Sequence, residues 1–262
     1  MIYFKEDIKR PYRNHFSSPK SMKIDLKETF PFLFIFLIIT SCGNMKKESM
    51  VDDVSKKSSA LPHRQKELEY PVREDFFQIT NISNAHIKFR QGDYSIVAKG
   101  DSASLSYLSL DFDGGILTLS TPMESNNDYH GYLSKSDIVV YVSCPDLRAM
   151  ALCGGGFESD TLRCKDLQFG GLVGGSISVN KIECQNFRYD SNGNTALHIG
   201  GVGSRESVVI TTGGGTLDLS LDASESCYLD VKGSSTVNMR VNTPKLESMI
   251  ETKGAVNLTM DT

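Results

Sequence analysis

The chain has 262 residues and a formal net charge of −4, a length that suits one or two ordinary domains and a balance that leaves no overall basic footprint for nucleic acid. Trp is absent, and 16 of the 22 Gly residues follow residue 143. Gly crowded into one half points to a backbone that must bend at intervals.

Residues 1–21 precede Met22-Lys-Ile-Asp-Leu-Lys, which has the form of a signal n-region, so they are read as an upstream extension or a misread start. Pro31 to Ser41 carry no charge. Eleven residues are too few for a membrane-spanning helix, which needs roughly 20, and the apolar run preceded by Lys23 and Lys27 fits a secretory signal over 22–41 instead. Its end, Ile39-Thr40-Ser41-Cys42, resembles the lipobox of bacterial lipoproteins. The resemblance implies diacylglycerol on the Cys42 thiol, with Cys42 as the new N-terminus and a membrane partner through that lipid. Gly43 rather than Asp follows, and Lys46 and Lys47 stand where an acidic surface-export run would lie. The expected location is the cell envelope at the outer membrane, with periplasmic and surface faces both open.

Residues 42–70 mix Lys, Glu, Asp and Ser with few apolar residues. They cannot bury enough apolar surface to offset ordering entropy, and read as a flexible tether with room for a short helix near Arg64 to Tyr70. The folded domain is placed at 71–262. Its opening stretch, to residue 143, offers strands at Phe77–Ile79, Ile87–Phe89, Tyr94–Ile96, Ile116–Leu119 and Ile138–Val142, read as irregular first coils of one body. The polar excursion from Glu124 to Ser136 contains Asn126, Asn127, Asp128, Tyr129, His130 and Tyr132, side chains able to hydrogen-bond and stack on a sugar. They form the candidate ligand-binding loop.

Repeats decide the fold of the remainder. Cys144, Cys164 and Cys184 recur at 20 residues, as do Leu147, Leu167 and Phe187. Gly154, Gly174, Gly193, Gly214, Gly233 and Gly254 recur at 19 to 21. Within each unit apolar residues alternate around the Gly, as in Leu217, Leu219, Leu221 and Val237, Met239, Val241, which is the period of a half-buried strand. A 20-residue strand–corner–strand unit buries its apolar edge only by stacking on copies of itself. The reading is an all-β solenoid of six units beginning near Cys144, Cys164, Cys184, Arg205, Ser224 and Thr243, with Cys on Cys and Leu on Phe in vertical ladders. An antiparallel sandwich is the rival, and it gives no reason for the 20-residue Cys interval.

Ile87 to Ile96, Gly115 to Leu119, Val142-Ser-Cys-Pro-Asp-Leu147 and the Gly triplets together resemble the bacterial GIN domain, the head domain of an auto-transporter-adhesin family of unknown function. The resemblance covers about 75–262. It implies a right-handed single-stranded parallel β-helix on an exported or lipidated protein and brings no catalytic residues with it. Asn192-Gly193-Asn194 and Lys232-Gly233-Ser234 depart from the Gly-rich triplets and put the corner geometry there in question.

With Cys42 lipidated, five thiols remain, Cys144, Cys153, Cys164, Cys184 and Cys227, an odd number. Export permits disulfides, yet ladder positions suit Cys as a small core residue, and their redox state is left open. The five His fall in no metal-ligand spacing, and neither a nucleophile elbow nor a phosphate loop is present, so no metal, cofactor or catalytic residue is expected. Asp111 and Asp113 share one side of a strand and would serve a polysaccharide-cleaving β-helix enzyme; beside Gly114-Gly115 they read more simply as a solvated strand end. The expected role is a non-enzymatic envelope lipoprotein presenting a surface to a glycan or protein. The rivals are a carbohydrate-active enzyme and a scaffold that self-associates through a C-terminal coil bearing Val256, Leu258 and Met260.

Overall fold

A computed structural model of the protein describes residues 65–121 and 138–261. In chain order it opens with β1 (Gln65–Tyr70), β2 (Gln78–Asn81), β3 (His86–Gln91), β4 (Ser95–Asp101), helix α1 (Ser102–Tyr107), β5 (Ser109–Asp113), β6 (Ile116–Ser120) and β7 (Val139–Cys144). Six regular coils follow. They use β8 (Ala149–Leu152) with β9 (Gly156–Arg163), then β10 (Asp166–Gly171) with β11 (Gly174–Glu183). The third takes β12 (Asn186–Ser191) and the first part of β13 (Asn194–Thr211), and the fourth the rest of β13 with the first part of β14 (Thr216–Gly233). The end of β14 with β15 (Thr236–Asn242), and β16 (Leu246–Thr252) with β17 (Val256–Asp261), complete the set.

All pairings between these coils are parallel. One face stacks β8, β10, β12, β13, β14 and β16; the other stacks β9, β11, β13, β14, β15 and β17. The architecture is therefore the β-solenoid expected from the repeats, with about six turns. Alternation explains the strands. In β15, Val237, Met239 and Val241 are buried while Thr236, Asn238, Arg240 and Asn242 are exposed. Register carries the alternation upward, so that Val140, Ile87, Phe157, Ile177, Leu197, Leu217 and Val237 form one interior column, to which Val256 adds an exposed last rung. Each layer adds apolar area that no single coil could bury.

The corners depend on Gly at few positions. Gly175 has φ +108, and a Cβ there would lie 2.6 Å from the Gly155 carbonyl oxygen of the coil beneath. Side chains of L-residues are disfavoured both by that dihedral and by that approach. The corner at Asn192-Gly193-Asn194 keeps the same stacking, with the Asn192 and Asn194 amides donating to the Gly171 and Val173 carbonyls. At the other departure, Gly233 supplies a positive φ of its own, +96. Both non-triplet corners thus preserve the coil.

The described residues up to Cys144 differ from a simple run of opening coils. β2 lies between β6 and β8, and β3 lies between β7 and β9. The layer made by β6 and β7 is later in sequence yet sits on the far side of β2 and β3. Beyond it the sheet turns antiparallel, with β4 against β7, β1 against β4, and β5 against β6. Charged, exposed β1 and the β5–β6 hairpin blunt the edge that a parallel stack would otherwise leave open. β1 occupies Gln65–Tyr70, in the stretch read as tether and short helix.

This permutation corrects the three-Cys ladder. Cys164 and Cys184 are vertical neighbours, flanked by the pairs Arg163–Glu183 and Asp166–Asn186. Cys144 is not the next rung, because it pairs with Gln91 of β3, and Gln91 in turn hydrogen-bonds the backbone of Arg163. The ladder continues upward from Cys184 through Ser204 and Ala223. Leu167 pairs with Phe187 as expected, but Gln168 pairs with Ala149, a step of 19, which leaves Leu147 one residue out of line.

Candidate binding surface

Cys42 and the loop residues Asn126, Asn127, Asp128, Tyr129, His130 and Tyr132 lie outside the described residues. The loop leaves β6 at Ser120 and returns to β7 at Val139. Asp111 and Asp113 are exposed on one side of β5, before a turn in which Gly114 and Gly115 have φ of +58 and +82. Asp101, first in an Asp-Ser-Ala triplet, is the N-cap of α1, its carboxylate accepting from the Ala103 and Ser104 amides. The loss of that cap would free two helix-end donors.

Along the β9–β17 face the outward positions form polar ladders. The Asn180 amide donates to Asp160 at 2.7 Å, the His198 ring meets Asp218 at 2.9 Å, and Asn238 donates to the same carboxylate at 3.2 Å. Asn257 continues to Asn238 at 3.0 Å, and Asn242 donates to Asp222 at 3.1 Å. Partners one coil apart fix these side chains against the sheet at intervals of about 4.8 Å. A surface of amides and carboxylates results, held over a close-packed core.

Near the N-terminal cap the same sheet carries a recess of about 320 Å³ between β1, β4, β7 and β3. Outward residues of four strands meet there because the cap strands run antiparallel: Val97 pairs with Tyr141, and Tyr141 with Lys88. Lys99 reaches Glu67 at 2.9 Å and lies 5.2 Å from the Tyr141 ring centroid. The hydrogen bond it donates to Glu67 holds the Lys99 ammonium above its usual range. Outside the recess Glu158 accepts from His86 at 3.1 Å and pairs with Lys88 at 3.6 Å, and the His86 bond chiefly holds its carboxyl below the ordinary value. Sequence reasoning missed this recess. Its residues span 67 to 143, several within the segments that carry the family resemblance, but no spacing marks them as neighbours, and only the permuted strand order assembles them.

None of the five described Cys is in a disulfide. Burial pushes the thiols of Cys144, Cys164, Cys184 and Cys227 up to about 12, and for Cys164 the Cys184 thiol adds to the effect. They are core groups rather than nucleophiles, which require a lowered pKa. Among the described residues no group of three metal-ligating side chains converges, and no helix is long and apolar enough to cross a membrane.

A parallel solenoid with a closed apolar core and ladders of polar side chains outside defines a surface-presenting β-helical domain. The chain belongs to the family described as "Putative auto-transporter adhesin, head GIN domain", whose model matches residues 75–260. No curated protein matches the sequence. Among solved structures it is similar to a "putative adhesin" from Bacteroides fragilis, at 14% identity and TM-score 0.56, covering 76% of this chain and 97% of that one. Adhesins so described from Parabacteroides distasonis and Parabacteroides merdae give TM-scores of 0.49 and 0.48, at 14% and 13% identity. They cover 75% and 76% of this chain and 98% and 96% of theirs. At such identities the first likeness speaks for the fold alone.

Proposed function

We propose that the chain is a non-enzymatic cell-envelope lipoprotein that presents its β-solenoid to a glycan or protein ligand, in keeping with the adhesin description of its family. The observation that carries this reading is the rigid polar ladder surface spanning the coils, from Asp160 and Asn180 to Asn242 and Asn257. Such a surface offers many hydrogen-bonding groups in fixed geometry, which lowers the ordering cost of binding an extended partner. The loop from Asn126 to Tyr132 is proposed as a second contact element. Asp111 and Asp113 lie exposed at a strand end beside the Gly114-Gly115 turn.

In this reading Cys42 carries the lipid, residues 22–41 are the cleaved signal, and the stretch from 43 to the start of β1 spaces the domain from the outer membrane. A flexible segment of that length has a root-mean-square reach of about 25 Å, enough to clear lipid headgroups. Growth with an alkyne-tagged fatty acid should label the wild-type chain and leave Cys42→Ala unlabelled; equal labelling of both would remove the anchor. Binding of the purified full chain to arrays of glycans and envelope or host-surface proteins tests the role, and silence on every array would contradict it. A second reading, pairing of the last coil with another copy, is supported by the exposure of Met249, Val256 and Met260 at 41%, 48% and 43%. Sedimentation that shows only monomer at high concentration would exclude it.

A further inference from the structure

We infer that the recess between β3, β4 and β7 is a binding site for a carboxylate-bearing saccharide, of the uronic-acid class. The inference rests on the reading of the chain as a ligand-presenting surface and narrows it to one place and one chemistry. The lining carries three cations, Lys88, Arg90 and Lys99, against a single carboxylate, Glu67. That excess of positive charge stands on a chain whose net charge is −4. Glu67 is already engaged by Lys99, and Glu158 outside the recess by His86 and Lys88. Among the described residues Arg90 forms no ion pair, and its guanidinium is exposed on the strand next to Tyr141. An exposed guanidinium beside a concave wall is suited to grip a carboxylate through two parallel N–H bonds.

The sugar ring is argued from Tyr141. Its side chain is 42% exposed in mid-strand, with Val97 directly across the β4–β7 pair. Aromatic and aliphatic side chains side by side make an apolar platform of the kind on which the C–H face of a pyranose packs. Lys99 Nζ lies over the Tyr141 ring, 5.2 Å from its centroid, and Lys88 pairs with Tyr141 from the neighbouring strand, so two cations of the lining stand beside the platform. A volume of about 320 Å³ lies at the lower end of the range for small-ligand sites, roughly 300–1,000 Å³, and suits one or two rings of a longer chain entering from the open polar ladders. A bilayer surface would instead call for protruding apolar side chains, whereas here the aromatic ring lies within a recess.

Titration calorimetry of the full chain in detergent, with tetragalacturonate and its fully methyl-esterified form, tests the inference, because the two probes share shape and differ in charge. The acid form should bind at least about tenfold more tightly, and its affinity should fall as salt rises. Arg90→Gln and Tyr141→Ala should each weaken the acid form about tenfold or more, while Tyr141→Phe retains binding. Circular dichroism of each variant should match the wild type, since both side chains are on the surface. Equal affinity for the two probes, wild-type affinity in Arg90→Gln and Tyr141→Ala, or no binding of tetragalacturonate would each overturn the inference. Displacement of bound tetragalacturonate by sn-glycerol 3-phosphate at equal concentration would overturn it in favour of an anionic headgroup. Array binding that survives Arg90→Gln and Tyr141→Ala would leave the ligand-presenting role standing and remove this site alone.

Discussion

The thiols of Cys144, Cys164, Cys184 and Cys227 show how a single residue records its place in the stack. Burial pushes each up to about 12, whereas a thiol in the unfolded chain ionises near pH 8.5. The folded state therefore keeps protons that the unfolded state gives up. The stability this contributes is fully present below about pH 8.5 and is lost progressively as pH rises towards 12. The urea midpoint should fall steadily above about pH 9, and the fall should be shallower in a Cys164→Ala/Cys184→Ala variant. A midpoint that stays flat from about pH 8 to 10.5 would mean the thiols are not buried. Spacing alone placed Cys164 over Cys184 correctly. The same spacing misplaced Cys144, because sequence distance equals spatial distance in a solenoid only while the chain winds in order. Here β3 intervenes, contributed by a segment more than 50 residues upstream.

At the scale of elements, strands with one buried face were legible wherever apolar residues alternate, as in β15 and in the two halves of β14. β1 was not, since Gln-Lys-Glu-Leu-Glu-Tyr at an edge is largely solvated on both sides and lacks the apolar stripe that alternation requires. Helix α1 was missed for a related reason: six residues with one buried side chain, Leu105, are too few to display a 3.6-residue period. Exposure also ranks the elements by local stability. β13 alternates buried and exposed residues along most of its 18 residues and is paired on both sides, whereas most of β16 and β17 is exposed or half-buried. Strands with little apolar burial open without global unfolding. Amide exchange in β17 should therefore outpace that in β13 by at least about a hundredfold, by mass spectrometry of peptides from each. Equal protection would show that the last coil is covered in solution, as pairing with another copy would do.

For the whole molecule, the repeats fixed the architecture because each unit needs its neighbours: Ile177, Leu197 and Leu217 bury their side chains by stacking in register over a shared core. The candidate site was far less legible. The ladder surface follows from the same repeats, but the recess does not, since Lys88, Arg90, Lys99 and Tyr141 come together only through the antiparallel cap and the insertion of β2 and β3 into the stack. Both the polar ladders and the recess presuppose that consecutive coils lie directly over one another in parallel. Methyl–methyl nuclear Overhauser effects in protein labelled at Ile, Leu and Val test this most directly. Layers about 4.8 Å apart should give cross-peaks for Ile177 with Leu197, Leu197 with Leu217 and Leu217 with Val237. None should join Ile177 to Leu217, two layers and about 10 Å away. Absence of the neighbour peaks, or a direct Ile177–Leu217 peak in their place, would contradict the parallel solenoid and every surface built on it.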